Sequence, residues 1–148
     1  MEIGKKFLNH LSNLSVSIPV PQQRIQEVLA KKIKELEDIK VLISPEEIEI
    51  SGYVLIKKLG FSRKQRVALF LVPQRVDGRI IYFNVLKVKP LDLEASNATY
   101  LSKPPFTHYE NRILRLDLST LDLLQKTQYG SLRHLTLGNE ELKVGLGV

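Results

Sequence analysis

Residues 46–93, EEIEISGYVLIKKLGFSRKQRVALFLVPQRVDGRIIYFNVLKVKPLDL, read as three long antiparallel strands, and that reading decides the fold. Ile48, Ile50, Gly52, Val54 and Ile56 recur at every second position. Glu47, Glu49, Ser51 and Lys57 hold alternate ones, which is the period of a strand with one apolar face. Two further runs, 66–76 and 79–89, flank Asp77-Gly78, a dipeptide that tolerates positive φ and suits a two-residue hairpin turn. That turn sets Val72 opposite Phe83, Phe70 opposite Val85, Leu69 opposite Leu86 and Val67 opposite Val88. The ribbon is then apolar on both faces and calls for two covers.

Outward from the ribbon, Pro21 suits the first position of a helix. Over residues 21–38, Ile25, Val28, Leu29, Ile33 and Leu36 form one stripe, with Arg24, Glu27, Lys31, Lys34 and Glu35 around the other side. This is a long helix whose stripe covers one face of the sheet, and Val41, Leu42 and Ile43 lead back into that sheet. Upstream, Ile3, Phe7, Leu11 and Leu14 space as a short helix, and Val16, Ile18 and Val20 alternate in an extended segment. Downstream, 94–106 reads as a loop with at most one helical turn, and 112–118 as a fourth strand with Leu114, Leu116 and Leu118 on one side. Ser119 and Asp122 resemble a capping box, so Leu121 and Leu124 belong to a short second helix ending near Gly130. Leu132, Leu135 and Leu137, the turn Gly138-Asn139, and Leu142, Val144, Leu146 and Val148 make a last hairpin. Gly145 and Gly147 on its outer face permit close approach of another layer. The expected fold is one α+β domain over 1–148. An arm with a short helix (1–20) precedes a long N-terminal helix packed on a strongly twisted antiparallel sheet of about five or six strands.

The composition, 43% hydrophobic and 26% charged over 148 residues, is that of an ordinary globular domain and excludes wholesale disorder. Cysteine is absent, which removes disulfides, a thiol nucleophile and thiolate metal sites. No apolar run approaches the ~20 residues of a membrane-spanning helix, and 1–14 lacks the apolar core of a secretory signal. The expected location is therefore cytoplasmic or peripheral to a membrane. His10, His108 and His134 have no nearby ligand-type partner, so no metal site is expected. Gly145-Leu146-Gly147 precedes no helix that would receive a phosphate, and the pairs Glu46-Glu47 and Glu140-Glu141 lie at strand entries or turns. No catalytic set emerges; the reading is non-enzymatic, without a cofactor.

Charge is the positive signal. The net charge is +6, and Lys57, Lys58, Arg63, Lys64 and Arg66 fall within ten residues that hold no acid. They flank Leu59 and Phe61 at the tip of the hairpin between the first two strands. At an anionic membrane each such cation contributes ~1 kcal/mol, and an exposed apolar pair adds insertion energy. For nucleic acid, the same residues supply phosphate contacts with Phe61 as a stacking platform. A solvated loop with Phe61 tucked into the core also fits.

The order of elements carries a resemblance: a helix over 21–38, an edge over 41–50, Gly52, a hairpin over 67–88 containing Pro73 and Asp77-Gly78, then a short helix and a final hairpin. It resembles the small bacterial tubular lipid-binding (TULIP) proteins, in which one long helix lies against a strongly curved antiparallel sheet. The resemblance implies acyl chains held in a groove between helix and sheet. Ile25, Val28, Leu29 and Leu36 would then face Val54, Ile56, Phe70 and Val85 across it. The leading expectation is a lipid-binding or membrane-surface module with lipid or an anionic membrane as partner. The alternatives are a nucleic-acid-binding module using residues 57–66, or an assembly protein pairing through a sheet edge such as 141–148. The oligomeric state stays open.

Overall fold

A computed structural model describes residues 16–120 and 131–147. The helices expected around Phe7 and Leu124 lie outside the described residues. In chain order the elements are β1 (Val16–Pro21), α1 (Gln22–Lys32), β2 (Glu37–Ile43), β3 (Ile48–Lys58), β4 (Phe61–Asp77), β5 (Ile80–Lys89) and α2 (Glu94–Tyr100). They continue with β6 (Thr107–Glu110), β7 (Ile113–Asp117), a 3₁₀ turn (Leu118–Thr120), β8 (Ser131–Leu137) and β9 (Glu141–Gly147). Two antiparallel sheets result, one ordered β2-β3-β4-β5-β7-β6 and one ordered β1-β9-β8.

The expected α+β fold, with a long N-terminal helix on a sheet of five or six strands, is thereby corrected: the described chain is mostly β, with two short helices and two sheets. The helix ends at Lys32 instead of near Asp38. Ile33 and Leu36 keep helical spacing, but Ile39, Val41 and Ile43 alternate with exposed neighbours and are all buried, so the strand period prevails from Glu37 onward. Asp38 takes a left-handed conformation at φ 51°, which aspartate tolerates better than most residues. Between helix and strand the backbone passes directly over Gly52, where a Cβ would stand 3.1 Å from the Glu37 carbonyl oxygen. The glycine inside the β3 stripe thus admits the crossing chain.

Instead of covering a sheet face, α1 lies along the border of β2. Gln22 and Gln26, one helical turn apart, turn their side-chain carbonyls to that strand. Ile43 N donates to Gln22 Oε1 at 2.9 Å and Val41 N to Gln26 Oε1 at 3.0 Å. The same helix links the two sheets, because β1 runs directly into it and the β8–β9 turn is tied to β2 by Glu140 N donating to the Ile43 carbonyl. At the far border, Leu132 N donates to the Gly78 carbonyl, joining the start of β8 to the β4–β5 turn. Residues from both sheets meet in one core that includes Val41, Leu71, Phe83, Leu114, Leu132 and Leu142.

The expected β4–β5 register is also corrected. The turn residues are Gly78 and Arg79, since Asp77 already pairs with Ile80. Two irregularities then leave Gln74 and Leu86 unmatched, so that Leu71, not Phe70, faces Val85, and Leu69 faces Val88. One face of the ribbon, with Leu71, Ile81, Phe83 and Val85, is buried. Among the described residues, no second layer of secondary structure covers the other face. Lys89 lies over the Phe70 ring and Arg75 over the Tyr82 ring, while Leu86 stays half exposed.

Residues 16–21, expected as an extended arm, pair along their length with β9. Strand β9 therefore lies between β1 and β8, and the tail at 141–147 is not a free edge. The side chains of His134 and Arg133, on the neighbouring strand of the same sheet, lie over Gly145 and Gly147, so the close approach comes from within the sheet and not from another layer. The segment 94–106 contains two helical turns in α2, and β6 adds a strand absent from the sequence reading. Among the described residues no helix is long and apolar enough to cross a membrane.

Replacing Gln26 or Gln22 by Leu leaves a partly buried β2 amide without its acceptor. Each change is expected to lower the unfolding free energy by about 1–3 kcal/mol, measured by urea denaturation.

Candidate functional site

Inner-face side chains of β3 and β4 show where the interior opens. Ile48 and Leu71, which pair across the two strands, are buried at 4% and 2% exposure. Moving toward the hairpin tip, Ile50, Val54 and Ile56 on β3 and Leu69, Val67 and Gln65 on β4 are only half-buried, and Arg63 and Phe61 are exposed. The interior is thus closed at the Ile48 end and open toward the tip.

Between the two sheets and α1 lies a cavity of about 1740 Å³. Close-packed interiors hold few voids larger than one water, so this space is not a packing defect. Its wall is almost wholly aliphatic and aromatic. The large sheet contributes residues such as Ile50, Val54 and Leu69, and the small sheet Val20, Leu135 and Val144. The helix α1 contributes Ile25, Val28 and Leu29. The lining also includes polar residues, among them Arg24, Lys34, Glu35, Gln65, Lys89 and Lys103.

Of the groove residues implied by the family resemblance, Ile25, Val28, Leu29, Leu36, Val54 and Ile56 line this cavity. Phe70 does not, because the shifted register turns it to the outer face beneath Lys89. Val85 points inward but belongs to the packed core and not to the cavity wall. The contribution of the small sheet went unread; its signal was the alternation of Ile18 and Val20 and of Leu142, Val144 and Leu146, all in the lining.

Two contacts, one from the last residue of α1 and one from the turn after it, reach across to the segment before β6. Lys103 forms a salt bridge with Glu35, and Lys32 Nζ stands 5.3 Å from the centre of the Phe106 ring. The Glu35 carboxyl is held below its ordinary range by the hydrogen bond from Lys103. A second network fixes α2 against the wall. Asn97, almost fully buried, donates to Asp92 Oδ1 at 2.8 Å, and Arg112 donates to the same oxygen and to the Leu86 carbonyl. Tyr109 donates its hydroxyl to Glu94 Oε2 at 2.6 Å, and Asn111 N donates to Oε1 at 2.7 Å. Among the described residues no buried side-chain nitrogen or oxygen lacks a partner.

The cationic residues expected to dock on an anionic surface divide. Lys57, Lys58 and Arg66 are exposed, and Arg63 donates to Gln65 Oε1 on its own strand. Lys64 forms a salt bridge with Glu37 at 2.8 Å, which raises its pKa through that hydrogen bond. Phe61 is 78% exposed and so is not tucked into the core. The expected loop over 57–66 is instead two paired strands joined by a two-residue turn. Among the described residues no group of three or more His, Asp or Glu is placed to hold a metal ion. Compared with known proteins, the chain matches no family model, no curated protein and no solved structure.

Arg112 and then Asn97 draw the Asp92 carboxyl down to about 2 from its ordinary 3.8. A depressed carboxylate stabilises the folded chain above its unfolded pKa and loses that contribution as pH falls through the folded value. Stability should therefore decline between about pH 4 and pH 2. Arg112→Met should flatten that part of the acid limb, read from thermal midpoints across the pH range.

Proposed function

We propose that the protein is a non-enzymatic binder of acyl-chain lipid, with the cavity between the two sheets as the lipid site. The observation that carries this reading is the cavity itself: its size and its largely apolar wall. Ligand sites for drug-sized molecules span roughly 300–1,000 Å³, and this one exceeds that range. Water is a poor filling, because an internal water needs two to four polar partners and the wall offers few. An aliphatic chain needs none, and each buried methylene contributes about 0.8 kcal/mol.

The polar residues of the lining fix the orientation of such a ligand. With the exposed Lys34 and Lys89 in the lining and most of the wall apolar, the chains run inward and the head group stays at the mouth.

Native mass spectrometry of protein purified without detergent should show adducts of lipid mass, released by organic extraction. Ile50→Trp and Val54→Trp, which place an indole in the cavity, should lower affinity for a fluorescent fatty acid at least tenfold while leaving the circular dichroism spectrum unchanged. Absence of any bound or exchangeable acyl ligand would overturn the proposal.

A further inference from the structure

The tip of the β3–β4 hairpin is built against local preference. Lys58 pairs with Phe61, so the turn consists of Leu59 and Gly60 alone, with φ of 49° and 82°. A two-residue turn with both φ positive is the type I′ hairpin, whose favoured sequence is Asn-Gly or Asp-Gly. Glycine meets the second requirement at no steric cost, but leucine at the first sits in the left-handed region, which its Cβ disfavours. Nothing in the folded chain compensates, since Leu59 is 97% exposed. Strain that no packing repays points to a role at the surface.

The surroundings state which surface. Phe61 projects beside the turn, and Lys57, Lys58 and Arg63 surround the pair with no acidic residue between 57 and 66. Phe61 also lies on the face of the hairpin that carries Val54 and Ile56, two residues of the cavity wall. Exposure rises along that face from the closed end to the tip. A solvated hairpin has no use for two bare apolar side chains at its apex, whereas the interface of an anionic bilayer accommodates both these and the cations around them.

We propose that Leu59 and Phe61 insert into an anionic bilayer while Lys57, Lys58 and Arg63 contact its head groups. Docked in this way, the inner face of the hairpin leads from the bilayer to the cavity, so lipid exchanges on contact with the membrane and not through water. The docking stands on the hairpin alone, independently of what the cavity holds.

Leu59→Asn separates docking from folding, because it installs the preferred turn residue. It should raise the thermal midpoint by a few degrees and weaken binding about tenfold or more to vesicles of phosphatidylcholine with phosphatidylglycerol, measured by flotation. Phe61→Ser should weaken it similarly, and each of Lys57→Gln and Lys58→Gln about fivefold, with all binding reduced by salt. Wild-type protein that fails to float with these vesicles would overturn the proposal, as would flotation of Leu59→Asn and Phe61→Ser equal to that of the wild type. Binding to a single-stranded oligonucleotide in place of vesicles, lost in Phe61→Ser, would overturn it in favour of nucleic acid. Leu59→Asn should still carry the lipid adducts of the wild type, so failure of docking and failure of the lipid site are read separately.

Discussion

The structure depends on a mismatch of lengths. Strand β4 has 17 residues, about 56 Å at strand rise, and its inner face is apolar over most of that length. The elements available to cover it are short: α1 has 11 residues, about 16 Å along its axis, and the strands of the small sheet have six or seven, about 20–23 Å. They seal the end where Ile43, Ile48 and Leu71 meet, and they cannot follow the ribbon to its tip. Contacts from Lys32 and Glu35 to Phe106 and Lys103 cross beside the remainder, and an open interior is the result.

The outer face of the same ribbon meets water differently. Phe70 and Tyr82 lie beneath the side chains of Lys89 and Arg75, whose methylene stems and charged ends shield the rings while remaining solvated. An aromatic residue under a cation therefore does not require a second layer of protein. Among the described residues, a hairpin apolar on both sides by sequence therefore has a layer of secondary structure on one side only.

Much of the β-structure was legible from period alone. The stripe from Ile48 to Ile56, the alternation around Leu114 and Leu116, and the final hairpin all formed as strands where the pattern placed them. Two things were not legible. The residues Ile33 and Leu36 suit a helix as well as they suit a turn, and only the pairing of Glu37 with Tyr53 decides where the helix stops. The unmatched Gln74 and Leu86 shift the register within β4 and β5, and no local composition marks them, so Phe70 was assigned to the wrong face. The site was partly legible: helix residues Ile25, Val28 and Leu29 line it as expected. Whether apolar residues enclose a void or a packed core depends on the lengths of elements distant in sequence, which periodicity does not report.

The amides of Gln22 and Gln26 also limit how the molecule can associate. A sheet that ends in a bare strand invites another chain to continue its ladder, and edge-to-edge growth of that kind is a common route to fibres. Here two outward amides of the edge strand already donate to side-chain oxygens borne by a helix. A side chain, unlike a strand, presents no further row of backbone donors and acceptors, so growth by strand addition is opposed at this border.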